Sequence, residues 1–212
     1  MRSILCLFLF IAPSLTARAA TPADPSAQCE QAIAKAEATG HTPSGMLGAI
    51  GQVESGRPDP RTGAMRPWPW TIDADGAGQF FATKAQAIAA VTALQAKGVR
   101  SIDVGCMQVN LMHHPDAFAS LDQAFDPVAN ARYAMRFLNT LYRRSGSWPN
   151  AIATYHSQTP QIAEDYRRRV MVTWHQHVPT PPGGGLVYVD SGFVYGAFGS
   201  TGRIYGLIMP QG

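Results

Sequence analysis

The stretch Pro43-Ser-Gly-Met-Leu-Gly-Ala-Ile-Gly-Gln-Val-Glu54-Ser-Gly56 governs how the rest of the chain is read. As a helix it places Leu47, Ile50 and Glu54 at i, i+3 and i+7, on an apolar face with Met46 and Val53 beside them. Thr42 is the expected N-cap, and Pro43 suits a first turn. Ser55-Gly56-Arg57-Pro58 then stops the helix with a glycine and a breaker. A carboxylate on a core-facing position loses hydration, which disfavours its charge and raises its pKa. A Glu that keeps its proton near neutral pH is suited to general-acid chemistry. The plainer alternative is that Glu54 turns out to solvent from the last turn, and periodicity leaves both open.

The chain before this helix sets the compartment. Arg2, the apolar run Ile4 to Ile11 and Ala17-Arg18-Ala19 read as a secretory signal peptide over residues 1–19. The run is shorter than the ~20 residues a membrane span needs. Cys6 lies too early for a lipoprotein signal. No second hydrophobic span follows, so an exported, periplasmic chain with no membrane span after signal removal is expected. The net charge is +3, and +1 without Arg2 and Arg18, which gives no sign of nucleic-acid binding. Cys29 and Cys106 remain after signal removal. In an oxidising compartment they are a candidate disulfide, with two separate free thiols as the alternative.

Residues 20–178 suit one main domain. A helix is expected from about Ala27 to Thr39, with Cys29, Ile33 and Ala36 on one face. After the Glu54 helix, residues 57–67 read as a loop. Trp68 to Asp73 and Gln79 to Ala82 read as a hairpin around Asp75-Gly76. Thr83 caps a helix with Ile88, Val91 and Leu94 as its stripe, and Val99 to Val104 alternates like a third strand. Helices then return. A short one opens at Pro115, and a long one at Asp126-Pro127 carries Val128, Ala131, Met135, Leu138 and Tyr142. Another runs from Pro149 to Tyr155, and a last one from Thr159-Pro160 carries Ile162, Tyr166, Val170 and Trp174. Arg167-Arg168-Arg169 reads as the solvated side of that last helix. Residues 179–212 read as a Pro/Gly linker (179–185) and an aromatic, Gly-rich tail. That tail could form a hairpin, dock or stay disordered.

Four segments carry the chemistry: Glu54-Ser55-Gly56, Asp103-Val-Gly-Cys-Met-Gln-Val-Asn110, Ala151-Ile-Ala-Thr-Tyr155-His156-Ser157, and Tyr166 to Val170. Their order resembles the lytic transglycosylases with a soluble-lytic-transglycosylase (SLT) domain. The pattern there is E-S, then G-x-M-Q-[IV], then A-x-Y-N, then Y-x-x-x-V. The resemblance covers roughly residues 27–177. It implies a mainly α, lysozyme-like domain with a small three-strand insert. It also implies an enzyme that cuts the MurNAc-β-1,4-GlcNAc bond of peptidoglycan and closes a 1,6-anhydro ring. Glu54 would act first as acid and then as base, and no cofactor is implied.

Beside Glu54, the resemblance points to Ser55, Met107, Gln108, Asn110 and Tyr155 as supporting or substrate-binding residues. Tyr155 corresponds to a tyrosine that reaches toward the acid. Gln108 and Asn110 either contact the sugar or hold the turn after the strand, and Met107 is cleft floor or core. The chain departs from the pattern in three places. His156 stands where Asn is usual, as a substrate contact or a structural histidine. The insert of residues 66–104 is long and offers Trp68 and Trp70 as sugar-stacking faces. Asp103 lies in a stretch similar to one in animal-type lysozymes, where the Asp is the second carboxylate of a hydrolase. A muramidase using Glu54 and Asp103 is therefore the alternative enzyme. A cell-wall-binding assembly factor for a flagellar or secretion machine, recruited through the tail, is the alternative of another class. No metal site is expected. Asp73-x-Asp75-Gly76 lacks the later ligands of a calcium loop, and His113-His114 and His175-x-His177 lack partners at zinc-site spacing.

Overall fold

A computed structural model describes residues 24–177 and the strand segments 185–189, 194–198 and 204–205. The expected signal peptide and nearly all of the expected linker lie outside the described residues. Helix α1 (Pro25–Thr39) begins where the Asp24 side chain accepts from the Ser26 N–H, with Pro25 in the first turn. Its buried face is Cys29, Ala32, Ile33 and Ala36.

Helix α2 (Met46–Ser55) starts later than the sequence suggests, and Thr42 does not cap it. Its N-cap is Gly45, in the left-handed region at φ 78°. The cap hydrogen bonds come from α1 instead. The Glu37 carboxylate accepts from the Gly45 and Leu47 N–H groups, each at 2.8 Å. An anion at a helix N-terminus meets both the orphan donors and the positive end of the dipole. Burial raises the Glu37 pKa, and the same backbone donors hold it down.

The expected loop after α2 is a ribbon, β1 (Gly56–Pro58) antiparallel to β2 (Met65–Pro67). Arg66 ties it to α1 through ion pairs with Asp24 and Glu30, and pairs within the ribbon with Asp59. The hairpin β3 (Thr71–Ala74) to β4 (Ala77–Phe80) turns at Asp75 and Gly76, both with positive φ, as a two-residue hairpin favours. Helix α3 (Lys84–Ala96) opens on a Thr83/Gln86 capping box. Strand β5 (Ile102–Val104) pairs with β3, and a two-residue β6 (Val109–Asn110) completes a sheet of order β4-β3-β5-β6.

The short α4 (Leu121–Ala124) starts at a Ser120 cap rather than at Pro115. Then come α5 (Pro127–Ser145), α6 (Trp148–His156) and α7 (Pro160–His177). Val128 and Ile162 are exposed, contrary to the stripes read from sequence. Both sit in the first turn of their helices, and the buried faces start at Asn130 and Ala163. Two cores result. One joins α1, α2, α5, α6 and α7 with Cys106, Met107 and Val109. The other joins β3, β5, α3 and α4, and Phe118 packs against both. The architecture is the expected mainly helical, lysozyme-like one with a small β insert. The Cys29 and Cys106 sulfurs lie 2.02 Å apart, linking α1 to the turn after β5. In the tail, β7 (Gly185–Val189), β8 (Val194–Phe198) and β9 (Ile204–Tyr205) form an antiparallel three-stranded sheet. No helix among the described residues is long and apolar enough to cross a membrane.

Candidate active site

Glu54 occupies the last turn of α2, where that helix meets α7 and faces the β3–β5 pair. Its residue surface is partly open to solvent, so it lines a surface rather than joining the core. Its carboxylate is nonetheless crowded by protein, and burial pushes its pKa up to about 8. The Tyr166 hydroxyl opposes this by donating to Oε1 at 2.6 Å, the Asp103 charge adds to the rise, Arg169 lowers it and Asp73 raises it. Because Oε1 accepts that bond, the proton of the neutral acid belongs on Oε2. Tyr166 itself is 1% exposed, and its own ionisation is pushed well above the usual phenol range by burial and by Glu54. It stays a donor throughout the neutral range.

Ser55 points the other way. Its buried hydroxyl donates to the Cys106 carbonyl at 2.7 Å, with the Gly51 carbonyl also near at 3.2 Å, and it accepts from the Trp68 N–H. It staples the end of α2 to the turn after β5 and does not face the site. That turn is fixed from behind by Asn130 on α5. The fully buried Asn130 amide donates to the Val104 and Ala124 carbonyls and accepts from the Met107 N–H. Gly105 is required there: its φ is +83°, and a Cβ would stand 2.5 Å from the Asn130 amide nitrogen.

Met107 is core, with 0% exposure. Gln108, at φ 44°, donates from its side chain to the Thr71 and Gly105 carbonyls. Asn110 donates to Ser101 Oγ and accepts from the Met112 and His113 N–H groups. Both amides therefore hold the turn and the strand exit. Tyr155 does not hold the acid: its hydroxyl donates to the Met107 carbonyl at 2.9 Å. The tyrosine that reaches Glu54 is Tyr166, read from sequence as a stripe residue and as the Tyr of Y-x-x-x-V but not singled out. His156 stacks on the Tyr166 ring, and Arg169, exposed on the solvated side of α7, lies over the same ring. Its neighbours in the run pair along the helix, Arg167 with Glu164 and Arg168 with Asp165.

Asp103 sits on β5 directly opposite Asp73 on β3. Burial raises its pKa to about 6; Asn110 lowers it, Asp73 raises it and His113 lowers it. Like charges opposite one another on neighbouring strands are unfavourable, so this pair is held against its own electrostatics. The Asp73-to-Gly76 stretch is a turn, with Asp73 accepting from the Gly76 N–H. The guanidinium of Arg57, on β1, lies 4.5 Å from the centroid of the Trp68 ring in the insert. Trp68 donates to the Phe81 carbonyl and meets Trp70 edge-on. No group of His, Cys, Asp and Glu among the described residues has the arrangement of a metal site.

Residues 31–170, roughly two-thirds of the chain, match the family described as Transglycosylase SLT domain. The chain belongs to this family. Members are lytic transglycosylases that act on peptidoglycan, which places their work outside the cytoplasm. No match was found among curated proteins or among solved structures. The matched span of the SLT domain contains Glu54, the Asp103-to-Asn110 turn, Tyr155, His156 and Tyr166, so every group described around the acid falls inside it.

Proposed function

We propose that this SLT domain is a peptidoglycan lytic transglycosylase that cleaves the MurNAc-β-1,4-GlcNAc bond, with Glu54 as the single acid and base. The observation that carries the reading is the placement of Glu54, with its carboxylate crowded by protein, which pushes its pKa up to about 8, and held at Oε1 by the Tyr166 hydroxyl. In the first step Oε2 gives its proton to the glycosidic oxygen, and the C1–O4 bond breaks. The electron pair leaves with the GlcNAc O4, which becomes a hydroxyl. The new carboxylate then takes the proton of the muramyl 6-hydroxyl while O6 bonds to C1, giving the 1,6-anhydro ring. Glu54 ends protonated, and no water is consumed. The Tyr166 bond strengthens when Glu54 is ionised, so it favours proton release in the first step and holds the carboxylate that then takes the 6-hydroxyl proton.

Asp103 favours a second reading. With Asp103 at about 6 and Glu54 at about 8, near pH 7 one carboxylate is mainly ionised while the other is mainly neutral. That ordering also suits a retaining hydrolase. The family assignment weighs for the anhydro product. We place the catalytic unit in residues 20–178, exported to the periplasm with Cys29 and Cys106 bridged there. The tail serves recruitment to an envelope-spanning machine, with the pure assembly-factor role disfavoured by the retained acid. Glu54→Gln on purified sacculi tests the reading. Release of soluble muropeptides is expected to fall by ~10²–10⁴-fold, the usual worth of a general acid. Turnover within tenfold of wild type would remove Glu54 from the mechanism.

A further inference from the structure

His156 departs from the E-S, G-x-M-Q, A-x-Y-N pattern, and the fold gives its imidazole a specific neighbour. Its ring lies on that of Tyr166 with centroids 4.6 Å apart and planes 9° apart. Tyr166 is the residue whose hydroxyl donates to Glu54. The Arg169 guanidinium lies 5.6 Å from the centroid of the same ring. Three helices thus meet in one chain of contacts: His156 ends α6, Tyr166 and Arg169 belong to α7, and Glu54 lies in the last turn of α2.

The torsion that orients a phenol ring is broad, so neighbours pressed on its faces set its plane. An imidazole supplies such a face, broader and longer in reach than the Asn amide of the family pattern. We propose that His156 is a positioning residue for the SLT reaction: stacked on Tyr166, it fixes the hydroxyl that holds Glu54 Oε1 and leaves Oε2 free for the scissile bond. The imidazole acts as a plane, not as an acid or base. Burial and then Arg169 push its pKa down, while Asp73 pulls it up, so a neutral ring is the form that stacks near neutral pH. His156 is otherwise exposed, so a direct sugar contact is the competing role.

The proposal rests on Glu54 being the acid, and a double-mutant cycle separates the two claims. His156→Ala, Tyr166→Phe and the double variant are compared in kcat and KM on purified glycan strands. His156→Ala is expected to lower kcat about tenfold with KM within about twofold, the effect of loosening a catalytic contact. In the Tyr166→Phe background the same change should cost less than about twofold, since the hydroxyl it positions is gone. His156→Phe, which keeps a stackable ring, should restore kcat to within about threefold of wild type. The alkaline limb of the pH profile should move up in His156→Ala, as in Tyr166→Phe, because a weakened donor stabilises the Glu54 carboxylate less. A higher KM at unchanged kcat would make His156 a sugar contact. Equal losses in both backgrounds, or a His156→Phe variant as poor as His156→Ala, would also overturn the proposal. If His156→Ala fails to fold, His156→Leu fills the space without a planar face and takes its place. Glu54→Gln is run alongside: full activity there sinks the general-acid reading, whereas an inactive Glu54→Gln with an additive cycle sinks the His156 role alone.

Discussion

Glu54→Gln is expected to stabilise the protein at alkaline pH while destroying its activity. The folded-state pKa of Glu54 is raised from 4.5 to about 8. Between those values the folded chain holds a proton that the unfolded chain has lost. Stability is therefore undiminished below pH 4.5 and falls as pH rises toward 8. At roughly 1.4 kcal/mol per unit, the ceiling on that loss is about 5 kcal/mol. Glu54 keeps part of its surface in water, so solvent screening leaves about 2 kcal/mol as the working figure. Gln is uncharged at every pH, so the variant should gain this amount over wild type at pH 9 and almost nothing at pH 4. For a domain of this size about 2 kcal/mol corresponds to about 4–8 °C in Tm. Thermal unfolding followed by circular dichroism at the two pH values reads the difference directly. A gain that is absent at pH 9, or equal at pH 4 and pH 9, would show that Glu54 is not a desolvated acid.

Four other outcomes are expected. Asp103→Asn should lower turnover less than tenfold and leave anhydro products, measured by chromatography of released muropeptides; loss as complete as in Glu54→Gln, with reducing-end products from wild type, would favour the muramidase. Asn130→Ala should cost about 2–4 kcal/mol in chemical denaturation, because it strands two buried carbonyls and one N–H, and should reduce activity by freeing the Gly105–Gln108 turn. Free-thiol labelling of the denatured, unreduced mature protein should find no reactive Cys29 or Cys106, and reduction should lower stability by about 2–4 kcal/mol; two labelled thiols would rule out the bridge. Truncation after residue 178 should leave Tm and muropeptide release nearly unchanged while weakening any recruitment to an envelope complex; a truncated chain that does not fold would move the domain boundary.

Helix stripes, caps and turns were legible wherever the determinant was local. Asp126-Pro127 opens α5, Thr83 with Gln86 opens α3, and Asp75-Gly76 turns the hairpin, each through contacts within a few residues. What escaped the sequence depends on distant partners. The cap of α2 comes from Glu37 on another helix, so Thr42 was the natural but wrong choice. The β1–β2 ribbon is anchored by Arg66 to α1, and nothing local distinguishes it from a loop. The position of Glu54 was legible as an acid on an apolar face. The identity of its partner was not, because the Tyr166 hydroxyl lies 112 residues away in sequence and Tyr155, in the A-x-Y-N segment, is the tyrosine that the resemblance points toward the acid. Gln108 and Asn110 looked equally suited to sugar or turn, and their hydrogen bonds go to the turn.

The most direct test of the account is the mass of what the protein releases. Purified sacculi are digested with the wild-type mature protein and the soluble muropeptides are weighed by mass spectrometry. Intramolecular attack by the 6-hydroxyl leaves anhydro ends lighter by one water, about 18 Da, than hydrolytic ends. The account predicts anhydro ends throughout, absent when Glu54→Gln replaces the wild type. Reducing ends from the wild-type protein would contradict it and assign the second step to water.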